Sequence, residues 1–158
     1  MGNYNLNSGF NNVIIPKTES VANIVYSGAL GTAYGTITVE SNRTTPLTMN
    51  IKDLNFGNFP LQPACIDFGN NNLGNNKLYF SGTNSITNLS VTGGSKERHC
   101  AIRVTKGTTV TIIASDSTST LTCTGASSGA GIGGDYTESG GNITIDGDGT
   151  VTVNGGYG

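Results

Sequence analysis

The sequence has few charged residues, only four prolines and no tryptophan, and these shortages narrow the classes of protein it can belong to. Charged residues make up 11% of the chain and the formal net charge is −2, so no strong field attracts nucleic acid or an anionic membrane. No apolar run approaches the ~20 residues that a membrane helix needs. The composition therefore predicts no nucleic-acid partner and no insertion into a membrane.

Cysteine is also scarce, and its three copies do not form an even set of disulfides. Cys65, Cys100 and Cys123 all lie in strand-like runs, and no Cys-x-x-Cys or Cys/His spacing indicates zinc. We expect three small buried hydrophobic side chains, no bound metal and no cofactor.

Glycine is abundant, with 24 copies, and short runs of valine, isoleucine and threonine are separated by glycine and asparagine. Disordered chains usually lack β-branched and aromatic residues. Alternating runs bounded by such turn residues are typical of many short strands. The sequence therefore predicts an all-β protein.

A motif of two small residues and an isoleucine recurs along the chain, at Ala64–Ile66, Cys100–Ile102 and Ala130–Ile132. A turn and an alternating strand follow each copy, and the period is about 30 residues, enough for three strands of about five residues with their turns. This pattern predicts a right-handed parallel β-helix, or β-solenoid, with three strands per coil. A β-sandwich is the alternative, but it needs no constant order of motifs.

The repeat is regular from residue 47 onward and blurred before it. We therefore predict an irregular N-terminal coil or cap over residues 1–46, followed by β-solenoid coils over residues 47–158. Both parts belong to one continuous domain, which we expect to be a fragment of a longer protein. The coil that begins at Asn142 is unfinished at Gly158, so its edge is predicted to self-associate or to be covered by further residues.

Alternation along the strands assigns side chains to the inner or the outer face. The residues predicted to stack inside are Met49, Ile51, Leu78, Phe80, Val110, Ile112, Ile143 and Ile145. The residues predicted to point outward are Thr48, Tyr79, Thr111 and Thr144.

The repeated isoleucines also set a register. If Ile66 and Ile102 stack inside, Asp67 and Arg103 point outward on adjacent coils and form an exposed ion pair. The same alternation directs Cys65 outward and Cys100 inward, and Cys123 inward as well. Thiols on opposite faces of neighbouring strands cannot form a disulfide.

The glycine-rich stretch Gly129–Gly134, with Gly141–Ile145 and Gly149–Val153, resembles right-handed β-helix segments of large bacterial cell-surface proteins described as carbohydrate-binding or adhesin-like. The close resemblance covers residues 125–158 and a looser one begins near residue 47. It implies a secreted or cell-surface location, although the residues after Met1 do not form a signal peptide. It also implies a polysaccharide or host glycan as partner.

The densest charged stretch supplies the candidate ligand-binding residues Lys96, Arg98, His99, Arg103 and Lys106. These cations can form an anion site for an acidic sugar, or simply a solvated loop before a strand. Tyr79 and Tyr136 are candidate stacking platforms for a sugar ring.

The acidic residues Asp135, Glu138, Asp146 and Asp148 are a candidate group for a structural calcium ion, but their spacing departs from known calcium loops. A pectate-lyase-like enzyme needs clustered carboxylates and a base, and a glycosidase needs two carboxylates across a cleft. No such arrangement is evident, so we predict no catalytic residue and no enzyme. The expected function is a surface-display module that binds polysaccharide; a structural stalk or assembly segment is the alternative, and a polysaccharide lyase a further one.

Overall fold

The computed structural model describes residues 1–26, 31–58, 63–88 and 99–156, and the regular elements within these ranges are all strands. They are β1 (Gly2–Leu6), β2 (Phe10–Ile15), β3 (Val21–Tyr26), β4 (Ala33–Val39), β5 (Thr48–Lys52), β6 (Asn55–Asn58), β7 (Ile66–Asp67), β8 (Asn75–Ser81), β9 (Thr83–Asn88), β10 (Ile102–Arg103), β11 (Thr109–Ala114), β12 (Thr120–Thr124), β13 (Ile132–Gly133), β14 (Asn142–Asp146) and β15 (Thr150–Asn154). The all-β class is confirmed. The described residues include no helix that could cross a membrane.

The strands form two sheets, and every pairing between them is parallel. A six-stranded sheet has the order β1-β3-β5-β8-β11-β14. A nine-stranded sheet has the order β13-β10-β7-β4-β6-β9-β12-β15, with β2 paired to β4. The two sheets nearly close into a barrel-like shape. Each strand of the six-stranded sheet thus pairs with strands that lie about one repeat away in sequence.

The core lies between the sheets and is built by alternation along each strand. In β8, Leu78 and Phe80 are buried, while Lys77 before them and Tyr79 between them are only half-buried. The inward side chains align from strand to strand: Met49 with Leu78, and Leu78 with Ile112. Stacking apolar side chains in columns removes their surface from water, which stabilises the fold by roughly 25 cal/mol per Å² of apolar surface buried.

The first 46 residues contain four of the strands, β1 to β4. They join the same two sheets in continuous parallel register, for example Ala22 with Met49 and Ile37 with Ile66. Leu6 and Ile15 are fully buried in the shared core. Where it is described, this segment therefore contributes strands to both sheets, and its assignment as an irregular coil or cap that ends at residue 46 stays a prediction.

Strands β14 and β15 lie at the edges of the two sheets. Ile143 and Ile145 align with Val110 and Ile112 as predicted. They were expected to be buried, but 36% and 52% of their surfaces are exposed, because no described strand packs on their far side. Self-association through this edge stays a prediction.

Tyr79 points outward as predicted, but it does not align with the three outward threonines. Lys77 occupies the column of Thr48, Thr111 and Thr144. The neighbours of Tyr79 are Asn50 on β5 and Ile113 on β11. The coils differ in length, so the count of residues between repeats did not determine this alignment.

The cysteines are free and buried, as predicted, but two of them face other directions than expected. Cys65 lies in the core beside Ala101, not on the outer face. The chain bends at Cys65, immediately before the two-residue strand β7, so the alternation of that strand does not extend back to it. Cys100 is buried outside the core cluster, against Asp135. Cys123 is buried in the core with Leu121, as expected.

Buried asparagines tie successive coils together at their corners. The side-chain oxygen of Asn76 accepts the N–H of Leu47, and its amide donates to the carbonyl of Thr109, residues 29 and 33 positions away. Asn84 accepts the N–H of Leu54 at 3.0 Å and donates to the carbonyls of Ser81 and Thr120. Because these backbone groups are buried, the amides satisfy donors and acceptors that water cannot reach.

We expect Asn84→Ala to lower the free energy of unfolding by about 1–3 kcal/mol, because the buried Leu54 N–H loses the side-chain oxygen that accepts it. Asn5→Ala, at an exposed position on β1, is the matched control and is expected to change stability by less than about 0.5 kcal/mol. Urea unfolding followed by circular dichroism measures both. Equal losses in the two variants would contradict a bridging role for Asn84.

Candidate functional site

The residues singled out in the sequence lie in separate places. Lys96 and Arg98 fall outside the described residues. His99 and Arg103 belong to a charged cluster on one side of the nine-stranded sheet, and Lys106 lines a depression beside it. Tyr79 lies on the outer face of the six-stranded sheet.

The charged cluster is organised around Arg103. Its Nε and Nη2 donate to Glu138 at 2.9 and 2.8 Å, and its Nη1 donates to both oxygens of Asp67 at 3.0 Å. Nη2 also reaches the Asn70 side chain at 3.3 Å. The predicted register between Asp67 and Arg103 is confirmed. The pair is not exposed as expected, since the two side chains are only 17% and 13% accessible.

This geometry accounts for the shifted pKa values. The hydrogen bonds from Arg103 lower the pKa of Glu138, and Glu138 together with Asp67 raises the pKa of Arg103. All three nitrogens of the guanidinium donate to side chains of the same chain. The carboxylates therefore compete directly with any anionic ligand for Arg103.

Asp135 lies between His99 and Cys100. One carboxylate oxygen is 2.9 Å from Nδ1 of His99, and the other accepts hydrogen bonds from the Cys100 backbone N–H at 2.9 Å and from its thiol at 3.0 Å. A cysteine nucleophile needs a base that withdraws its proton. Here burial, followed by the charge of Asp135, raises the pKa of the thiol, so the arrangement keeps Cys100 protonated.

The depression at Lys106 has a volume of about 530 Å³ and is lined by two turns, including Asn71, Gly107 and Ser139. Glu138 forms part of its wall. With Asp67, Asp135 and Glu138 nearby, Arg103 and Lys106 are outnumbered by carboxylates, which disfavours an anion here. Tyr136 is exposed in the turn that follows Asp135.

The four acidic residues considered for calcium do not converge. Asp135 and Glu138 are engaged by His99, Cys100 and Arg103, while Asp146 accepts a hydrogen bond from the next backbone N–H, that of Gly147. Within the described ranges, no three His, Cys, Asp or Glu side chains are grouped so that they could hold a metal ion.

A groove on the outer face of the six-stranded sheet surrounds Tyr79. It has a volume of about 280 Å³ and crosses β3, β5 and β8. Its lining residues are Asn23, Ile24, Val25, Asn50, Ile51, Lys52, Tyr79, Ser81 and Ser115. The side of the Tyr79 ring therefore lies among amides, hydroxyls and one ammonium group.

An asparagine ladder leads to Tyr79, and sequence reasoning missed it. Asn3, Asn23 and Asn50 align on successive strands. The Asn50 amide donates to Asn23 at 2.7 Å, and the Asn23 amide donates to Asn3 at 2.9 Å. Tyr79 is next in the column. The recurring Asn-Ile pairs at 23–24 and 50–51 were the available signal, since each combines an outward amide with an inward isoleucine.

Comparisons of the chain with protein-family models, with curated proteins and with solved structures give no match. The class that the structure defines is thus an all-β protein of two parallel sheets.

Proposed function

We propose that the chain is a non-enzymatic surface module that acts outside the cell and binds polysaccharide or host glycan through the groove around Tyr79. In this proposal the fold is a right-handed parallel β-helix with three strands per coil, of the kind found in bacterial cell-surface proteins that bind carbohydrate. Parallel pairing of strands about one repeat apart supports it, as do the corner asparagines that bridge coils at intervals of 29 and 30 residues.

The observation that carries the binding proposal is the combination of groups in the groove. Sugar rings present both C–H faces and hydroxyl edges, and an aromatic ring beside fixed polar groups is suited to both. Tyr79 supplies the ring, while Asn23 and Asn50 are held in place by the ladder. Because the sheet already holds these groups in place, they need not become ordered when a ligand binds, which limits the entropy cost of binding.

Three features of the described residues support a module without catalytic activity. The raised pKa of Cys100 keeps its thiol protonated, and the pKa values of the Asp116 and Glu138 carboxyl groups are lowered. A general acid needs a raised carboxyl pKa. Asp67, a candidate carboxylate in the sequence, is paired with Arg103.

The state of the cysteines is compatible with an oxidising compartment. All three are buried, and burial raises the pKa of each thiol, that of Cys123 to about 12. Oxidation proceeds through the thiolate, so buried thiols of this kind resist it. The resistance of these thiols to oxidation is compatible with the secreted or cell-surface location that we propose.

Affinity electrophoresis through gels that contain single polysaccharides tests the proposed function. We expect retardation on at least one polysaccharide, and we expect Tyr79→Ala to weaken it about tenfold, as for a truncated aromatic anchor. Tyr136→Ala, an exposed tyrosine outside the groove, is the matched control and should leave binding unchanged.

Three results would overturn the proposal. Release of oligosaccharides during incubation would show an enzyme. Equal loss of binding in Tyr79→Ala and Tyr136→Ala would remove the groove as the site. Absence of retardation on every polysaccharide would favour the structural stalk.

A further inference from the structure

The outer face of the six-stranded sheet is a regular grid, and its charges are placed unevenly. Strand β5 presents Thr48, Asn50 and Lys52 outward, and β8 presents Lys77, Tyr79 and Ser81 in register with them. Lys77 and Lys52 therefore lie on a diagonal, on opposite sides of the Asn50–Tyr79 row. With ~3.3 Å per residue along a strand and ~4.8 Å between strands, their Cα atoms are about 14 Å apart.

Neither lysine has an ion-pair partner within the described ranges. Among the described residues, the cations that form ion pairs are the N-terminus, His99 and Arg103. None of the described residues that line the groove is acidic. Asp53, next to Lys52 in sequence, turns its carboxylate to the following turn, where Oδ1 accepts the N–H of Thr83 at 3.0 Å.

The charged cluster around Arg103 has the opposite character. There three carboxylates surround the guanidinium, so its positive charge is already compensated. On a chain with net charge −2, the face with Tyr79 is a local site where cations lie unpaired beside an aromatic ring. Of the cations predicted from the sequence to bind an acidic sugar, His99, Arg103 and Lys106 lie on or beside that cluster and not on the face with Tyr79.

We infer that the groove around Tyr79 selects an acidic polysaccharide, with Lys52 and Lys77 each pairing with an anionic group of the chain on either side of the ring that Tyr79 contacts. This inference rests on the proposed function and specifies its ligand class. Carboxylate and sulfate groups share the required chemistry. The long lysine side chains let the ammonium groups adapt to the spacing of the charges on the polysaccharide.

Affinity electrophoresis with three named polysaccharides tests the inference: polygalacturonate for carboxylates, dextran sulfate for sulfates and dextran as the neutral chain. We expect the protein to bind one or both acidic polymers at least fivefold more tightly than dextran. Binding should weaken as sodium chloride rises from 50 to about 300 mM, because the pairs are exposed and screened.

The decisive variant is the double substitution Lys52→Gln and Lys77→Gln, which removes both charges but preserves much of the side-chain length. We expect it to weaken binding to the acidic polymer at least fivefold. The matched control, Lys17→Glu, changes the net charge by the same two units but lies at an exposed turn off this face, and it should bind as the parent does. Circular dichroism on all variants verifies that the fold is retained.

The outcomes separate the inference from the proposed function. Tyr79-dependent binding that is as tight to dextran as to the acidic polymers overturns the inference and leaves the proposed function standing. Equal loss in the double variant and in Lys17→Glu also overturns it, because net charge would then be the cause. Absence of binding to any polysaccharide overturns both. Preference for polygalacturonate or for dextran sulfate supports the inference and identifies the anionic group.

Discussion

Replacing Gly35 by alanine is expected to lower the free energy of unfolding by about 3 kcal/mol or more. Gly35 lies in β4 with a φ of 141°, and an added Cβ would be 1.8 Å from the carbonyl oxygen of Asn11 on β2. The variant must strain its backbone, at about 1–3 kcal/mol. It must also separate two paired strands, at about the same cost.

The control is Gly140→Ala, because an added Cβ there meets no atom closer than 3.7 Å. This change is expected to be neutral or slightly stabilising, since alanine reduces the freedom of the unfolded chain. Chemical denaturation of both variants supplies the comparison. If the two midpoints agree, the close approach of β2 and β4 is not as described.

The second large effect is expected for Arg43→Met, at about 2–5 kcal/mol. Arg43 is fully buried, and its guanidinium donates to the carbonyls of Pro16, at 2.6 Å, and Glu19. Burial lowers the pKa of Arg43, while the nearby acidic groups Glu40, Tyr4 and Glu19 oppose that shift. Methionine fills similar space but donates to neither carbonyl, so the Glu19 carbonyl loses its Arg43 donor and the Pro16 carbonyl keeps only the N–H of Glu19.

Lys17→Met is the matched control, because Lys17 is exposed and lies between Pro16 and Glu19, the two residues whose carbonyls Arg43 contacts. It is expected to change stability by less than about 0.5 kcal/mol. Thermal unfolding of both variants should show a lower midpoint for Arg43→Met alone. A stability loss shared by both would indicate that positive charge near this turn matters, and not the buried hydrogen bonds.

Local patterns in the sequence were sufficient for the class and much of the core. Period-two alternation depends on side chains pointing to opposite faces of one strand, so it required no knowledge of neighbours. It placed Met49, Leu78 and Ile112 inside, and the repeated isoleucines set the pairing of Asp67 with Arg103. These predictions involved strands whose alternation is uninterrupted and whose repeats share a motif.

Alternation failed where the backbone bends or a coil changes length. Cys65 precedes a bend, so its side chain turns into the core although the strand pattern directs it outward. The alignment of Tyr79 with Asn50 depends on how many residues the intervening turns contain. The alternation of a single strand indicates neither the bend nor the length of the turns. Each of these features changes which residues a side chain contacts.

Some features of the candidate site also follow from the pattern of one strand, and others depend on the tertiary structure. By itself the sequence determined that Tyr79 points outward, because this is a property of one strand at a time. Only the tertiary structure decided that Asn23, Asn50 and Tyr79 form one column, that carboxylates enclose Arg103, and that Arg43 is buried. Such contacts join residues about one coil or more apart, and their geometry depends on the path of every turn between them.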